Sequence, residues 1–217
     1  MPNQRCTIPQ ITGHNGTRER LMMAGEALMG QHGLGKVPLE EIALHAQQRN
    51  KYAVQYHFGN RDGLAQAIMD VRFRQIEQRR GELLEAIDPA DIHAILTAFI
   101  YPLAEQTDAQ GLHSFARFLL QFIARDDPIA QIMHPVSAAQ AGSPTVALFD
   151  MACRAIGIDA ADLYERMKLF LPVPLGFLAG QPGGADAPVI PPAFPGVIRM
   201  IAAALSADAR TETGGPA

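Results

Sequence analysis

Between Arg49 and Arg61 the chain gathers side chains suited to gripping a polyanion and reading its edges. The run Arg49-Asn50-Lys51-Tyr52-Ala53-Val54-Gln55-Tyr56-His57-Phe58 ends at Gly59 and reads as a short helix from about Asn50 to Phe58. Such a helix fits a DNA major groove, ~12 Å wide, if its outer face offers donors and acceptors. Lys51, Tyr52, Gln55 and Tyr56 supply them. A lysine can approach guanine O6 and N7 or a phosphate, and a glutamine can pair with adenine. Tyrosine hydroxyls suit phosphates. Arg49 in the preceding turn and Arg61 just beyond would hold the backbone electrostatically. Asn50 and His57 complete the candidate set, although His57 serves equally well as a structural hydrogen-bonder and Tyr56 as a half-buried residue with only its hydroxyl outside. Phe58 reads as a packing residue.

Catalytic patterns are missing from the sequence. There is no Gly-x-Ser-x-Gly elbow, phosphate loop, Rossmann glycine set or His-Glu-x-x-His. Asp126-Asp127, followed by Pro128, reads as a helix N-terminus. The histidines at 14, 32, 45, 57, 93, 113 and 134 show no ligand spacing, and Cys6 and Cys153 make neither a metal site nor a disulfide framework. No metal or cofactor is expected. The N-terminus lacks the apolar core of a signal peptide, and no apolar run reaches the ~20 residues of a membrane span. A cytoplasmic protein with reduced thiols is the expectation.

The net charge of −4 argues weakly against nucleic acid, but its distribution matters more than the total. Residues 1–60 carry six Lys/Arg against four Asp/Glu, whereas residues 87–217 carry seven against thirteen. A mildly basic N-terminal part therefore joins an acidic body. Apolar residues make up 48% of the chain, enough for a packed core.

The elements that must position these groups are helical. Residues 1–16, broken by Pro2, Pro9, Gly13 and Gly16, read as a flexible arm. Leu21, Ala24, Ala27 and Leu28 mark a helix with Thr17 as N-cap and Gly33 as stop. A short helix from Pro38, at its first position, to Ala46 buries Leu39, Ile42 and Ala43. A long helix from Arg61 to about Ile87 follows, then one entered through Asp88-Pro89 and running to about Gln106. Further helices are predicted near 110–125, 128–139, 144–156, 160–180 and 195–208, with an irregular connection from Gln181 to Pro195 and a disordered tail over 209–217. Pro102, Pro135, Pro172 and Pro174 interrupt apolar patterns, either ending helices or bending them so that a cavity is left. Strand alternation is not sustained anywhere. The expected fold is all-α, with a helix-turn-helix unit over 17–60 joined by the long helix to a helical domain over 61–208.

The run Pro38-Leu39-Glu40-Glu41-Ile42-Ala43-Leu44-His45-Ala46, followed by Tyr56-His57-Phe58-Gly59-Asn60-Arg61-Asp62-Gly63-Leu64, closely resembles the DNA-binding domain of the tetracycline-repressor (TetR) family. The resemblance covers roughly residues 17–70. It is that of a variant branch, one residue longer in its turn and recognition helix. It implies a transcriptional regulator, in the main a repressor, that binds an inverted-repeat double-stranded DNA operator as a homodimer, answers a small-molecule effector and has no membrane partner. By the same resemblance Arg61 stands where the family places a phosphate-contacting lysine. Two departures stand out. Pro38 replaces the usual threonine, removing a hydroxyl contact to phosphate. Gln47 replaces the usual turn glycine, and because glutamine disfavours positive φ the turn is expected to differ in conformation.

The resemblance also assigns the remaining helices to an effector pocket and a dimer interface. Polar groups within apolar stretches are the pocket candidates: His93, Tyr101, His113, Arg117 and Gln121. Arg117 has two bland alternatives, a solvated face or a pair with Glu105. The dimer would form through the last two helices, using Leu163, Met167, Phe170, Leu171, Leu175 and Leu178 with Ile198, Ile201 and Leu205. Burial of these residues within one subunit is the competing account. A protein-interaction module without DNA binding and a helical-bundle enzyme are the alternative function classes.

Overall fold

The computed structural model describes residues 16–123, 142–184 and 186–207. The expected arm over 1–16 apart from Gly16, the helix near 128–139, the tail, Cys6 and Pro135 fall outside them. Among the described residues all regular structure is helical. The elements are α1 (Thr17–His32), α2 (Leu39–His45), α3 (Ala53–Phe58), α4 (Arg61–Leu84) and α5 (Ile92–Ala104). Then come α6 (Ser114–Ile123), α7 (Pro144–Ile156), α8 (Ala160–Phe170), α9 (Pro172–Ala179) and α10 (Phe194–Ser206).

Helix starts follow the nearest group able to accept the first free N–H bonds, and this shifts several expected boundaries. Gly16, not Thr17, caps α1, its carbonyl accepting from Glu19 and Arg20. Pro38 is extended and caps α2 from outside rather than opening it. Asn60 caps α4, its Oδ1 accepting from Gly63 at 2.8 Å. Asp91, not Asp88, caps α5 by accepting from His93 and Ala94. Asp88 is spent on a separate turn, bonded to Ala90. Asp108 folds residues 108–112 into a loop by accepting from Gln110 and Leu112, which delays α6 to Ser114. The single helix expected over 160–180 divides at Leu171, because Pro172 and Pro174 carry no N–H to continue the ladder. Pro102, by contrast, stays inside α5.

α1, α2 and α3 form a three-helix head closed by the start of α4 around Leu21, Met29, Ile42, Val54 and Leu64. α4 serves both parts. Its first half packs on α1 and its second half reaches α5 and α7. α1 also packs closely on α6. At Gly30 a Cβ would stand 2.8 Å from the backbone nitrogen of Phe118, so the two helices approach nearly backbone to backbone. The body is centred on Phe115, Phe118, Leu148, Leu175 and Phe194.

The turn between α2 and α3 overturns one expectation. Gln47 adopts φ +57°, the left-handed conformation glycine would take. Its N–H donates to the Leu44 carbonyl and the Gln48 N–H to the Ala43 carbonyl, both at 2.9 Å, which is the bond pair of a Schellman motif. The Gln48 side chain adds a bond to the Ala46 carbonyl at 2.9 Å. These bonds hold a non-glycine residue where its Cβ is disfavoured by about 1–2 kcal/mol. Gln47→Gly is therefore expected to stabilise the protein by roughly 0.5–1 kcal/mol, the relief being partly offset by the greater chain entropy of glycine. Urea denaturation checks this, and a loss of stability would contradict the strain.

Candidate functional site

The recognition segment starts later than its sequence pattern suggests. Residues 50–52 form a turn in which Asn50 Oδ1 accepts the Tyr52 N–H at 3.0 Å and the Asn50 carbonyl accepts that of Ala53. α3 proper begins at Ala53, and Asn50 has a positioning role there. Ala53 and Val54 face the core, while Arg49, Lys51, Gln55, Tyr52 and Tyr56 stand outside. Tyr56 is 82% exposed and Tyr52 55%. Tyr56 is thus not half-buried. The Lys51 ammonium lies 4.9 Å from the centre of the Tyr52 ring. Among the described residues neither Arg49 nor Lys51 has a carboxylate partner. His57 and Phe58 are half-buried, and Phe58 packs against the core beneath Arg18.

Arg61 is turned inward. Its Nη1 donates to the carbonyls of Leu34 and Val37, at 2.7 and 2.6 Å, and so ties the start of α4 to the loop before α2. Gly63 completes this corner, since a Cβ there would overlap the Phe58 carbonyl oxygen. Together these contacts set where α3 sits relative to α4.

A buried ion pair joins the head to the body. Arg72 of α4 grips Glu26 of α1 through two parallel bonds of 2.7 Å, Nε to Oε2 and Nη2 to Oε1. Ser114 Oγ donates to the same Glu26 Oε1 at 2.6 Å, and Arg72 Nη1 donates to Gln106 Oε1 at 3.1 Å. All four residues are buried. Two turns further along α4, Arg80 is wholly buried, with its Nε and Nη2 on the Phe99 carbonyl and its Nη1 on Glu77 and Thr145. Burial pulls its guanidinium down to about 10, with Glu77 opposing the shift. Sequence reading missed both sites. The signal was present: Ile68, Arg72, Ile76 and Arg80 recur every four residues on one stripe of α4, and a cation on a buried stripe needs a dedicated partner.

The pocket candidates do not form one constellation. His93 and Tyr101 are half-buried on α5, ~12 Å apart along its axis. Tyr101 lies against Phe194, with ring centres 5.8 Å apart. Burial pushes its phenol up, with Arg199 opposing. Arg117 neither pairs with Glu105, which Arg79 holds, nor lies free. Its Nε caps the C-terminus of α9 by donating to the Ala179 carbonyl at 2.8 Å. Gln121 donates to the Gly30 carbonyl of α1 at 3.4 Å. His113 is 2% exposed. Its Nδ1 and His93 Nε2 are buried without a hydrogen-bond partner among the described residues.

The apolar faces of the last helices are covered within one chain. Leu163, Met167, Leu171, Leu175, Leu178, Ile198, Ile201 and Leu205 are buried and Phe170 is half-buried, which matches the account of burial in a single subunit. The residues left outside are Leu169, Val173 and Met200, at 75%, 39% and 56% exposure. Hydrophobic residues spaced three and four apart cannot by themselves say whether a neighbouring helix comes from the same chain or another. No helix among the described residues is long and apolar enough to cross a membrane.

No family model matches the chain, and no curated protein matches it. Solved structures do align along most of it. A gamma-butyrolactone receptor (ArpA-like protein) is 18% identical over 88% of this chain and 97% of its own, with a TM-score of 0.47. The TetR family repressor AlkX from Dietzia sp. strain DQ12-45-1b, implicated in biodegradation of n-alkanes, is 18% identical over 92% of this chain and 100% of its own, with a TM-score of 0.37.

The ion pair yields a quantitative expectation. Glu26→Ala should cost about 3–5 kcal/mol, because it strands the Arg72 guanidinium in a dry interior. The double variant Glu26→Leu/Arg72→Met should cost less than Glu26→Ala, since no unpaired charge remains. Chemical denaturation of the set decides it, and a single-variant cost below about 1 kcal/mol would show that water reaches the pair.

Proposed function

We propose that this protein is a DNA-binding transcriptional regulator of the tetracycline-repressor type, acting as a repressor on an inverted-repeat operator. The observation that carries the reading is the outer face of the recognition segment. Lys51, Tyr52, Gln55 and Tyr56 all project to solvent from a turn and a six-residue helix whose other side is core. Two cations without carboxylate partners among the described residues stand beside two exposed tyrosines, a set that suits phosphates and base edges together. Arg61 acts in this reading chiefly by holding the head's loop, and its remaining donors stay within the proposed phosphate contacts. Asn50 and His57 contribute by shaping the segment.

A helix this short spans few base pairs, so operator specificity calls for two heads on one two-fold axis. In the proposed homodimer the outward residues Leu169, Val173 and Met200 meet their counterparts on a second copy. An unidentified small molecule seated among α5, α6 and α9, with Tyr101 and His93 as candidate contacts, would shift the spacing of the two heads. A ligand does so only by binding one state more tightly than the other, so effector and DNA must weaken each other equally.

Selection of bound genomic fragments followed by footprinting tests the reading directly. Fragments bound without salt dependence or sequence preference would oppose it and favour a protein-interaction module. On the selected site, Arg49→Ala should weaken specific and random DNA alike and lower the salt slope by about one unit. Gln55→Ala should cost roughly 1–3 kcal/mol on the operator and little on random sequence. Sedimentation should give about twice the 23.5 kDa chain mass, with Leu169→Glu and Val173→Glu shifting the protein toward monomer. A wild-type monomer that binds the operator tightly would refute the assembly.

A further inference from the structure

The loop between α5 and α6 supplies both outer ligands of the Glu26–Arg72 pair. Gln106 stands at its beginning and accepts from Arg72, and Ser114 stands at its end and donates to Glu26. Between them the loop is held from two sides. Asp108 bonds it internally, and the Gln110 carbonyl accepts the Gly184 N–H at 2.8 Å from the connection before α10. A Cβ at Gly111 would stand 2.8 Å from the Gly184 carbonyl oxygen, so the two segments are in close backbone contact.

His113 lies inside this assembly, next in sequence to Ser114, 2% exposed and with Nδ1 lacking a hydrogen-bond partner among the described residues. We propose that His113 makes the α5–α6 loop an acid-released latch on the joint between head and body. Proton uptake at Nδ1 would place an N–H where no described residue accepts it, and a positive charge in a buried site shared with the Arg117 guanidinium, and the loop must open to hydrate them. Opening withdraws Ser114 from Glu26 and Gln106 from Arg72, leaving the ion pair that joins α1 to α4 without its outer ligands.

The groups acting on the imidazole agree with this direction. Burial and the Arg117 guanidinium on α6 hold it below its ordinary value, while Asp108 of the loop and the backbone at Ala104, the end of α5, oppose them. Glu26 of α1 and Arg72 of α4 stand one residue away through Ser114. Arg117 is itself anchored on the Ala179 carbonyl of α9. An unfolded histidine takes up its proton near pH ~6.5, whereas the folded one resists it. The stabilisation is therefore complete above that pH and is lost as pH falls below it.

Amide exchange of the full chain between pH 7.5 and 5.5, corrected for intrinsic rates, tests the latch. Wild-type protection over residues 105–114 should fall several-fold, approaching the roughly tenfold that one histidine can supply over this range. His113→Gln should lose that pH dependence, and His93→Gln, which removes the other buried histidine, should keep it. Unchanged wild-type protection, or an undiminished loss in His113→Gln, overturns the proposal. Should His113→Gln fail to fold, the wild-type imidazole can be titrated by NMR. The folded imidazole must then titrate below the ordinary value near ~6.5, and titration at or above that value overturns the proposal as well. None of these readouts involves DNA, so they stand or fall separately from the regulator reading.

Discussion

A carboxylate and a guanidinium can share a dry interior only if they pair in good geometry and further hydrogen bonds support each partner. Glu26 and Arg72 meet that condition with help from Gln106 and Ser114, and the requirement organises the molecule. The four residues come from α1, α4, the end of α5 and the start of α6. A shift of any one element by an ångström or two would leave a buried charge under-ligated. Apolar packing tolerates small slides between helices, whereas a bidentate pair with fixed fork geometry does not. The pair thus specifies position more than it adds stability, for a well-packed apolar replacement would fill the same space at comparable stability.

α4 carries that constraint across the molecule. Arg72 and Arg80 lie on one stripe, the first tied to the head through α1 and the second to α5 and α7 through the Phe99 carbonyl, Glu77 and Thr145. Close backbone approach at Gly30 sets α1 directly on α6, and Gln121 adds a bond across the same contact. A displacement in the body therefore has two rigid routes to the head, one along α4 and one through α6.

Within the head, backbone geometry decides what α3 presents. The left-handed turn at Gln47 and the Asn50 turn before α3 fix its entry, while Gly63 and the inward Arg61 fix its exit. With both ends held, Ala53 and Val54 are committed to the core and the opposite face is left outside. A slip of one residue would turn the helix by ~100° and exchange those faces. The outward set Lys51, Tyr52, Gln55 and Tyr56 is thus a consequence of turn chemistry as much as of α3's own sequence.

Much of this was legible beforehand. Apolar spacing placed α1, α2, α4, α6 and α7 to within a few residues, and the polar–apolar division around Ala53 and Val54 marked the exposed face. Helix starts were less legible, because Asp88, Asp91 and Asp108 are equivalent as letters and only the folded backbone shows which one finds free N–H groups. The turn at Gln47 was misread for a related reason: intrinsic preference disfavours positive φ, but the bonds to Leu44 and Ala43 override it. The ion pair lay beyond local reading, since Glu26 and Arg72 are 46 positions apart and meet only once α1 and α4 pack. Likewise Leu163, Leu175 and Ile201 were marked as apolar by the sequence, but whether they cover their own chain or a partner is a question of which surface arrives first. Periodicity is a property of one helix and was available from the residues alone. Pairing, burial and the direction in which Arg61 and Arg117 point belong to several helices at once, and only the tertiary structure decides them.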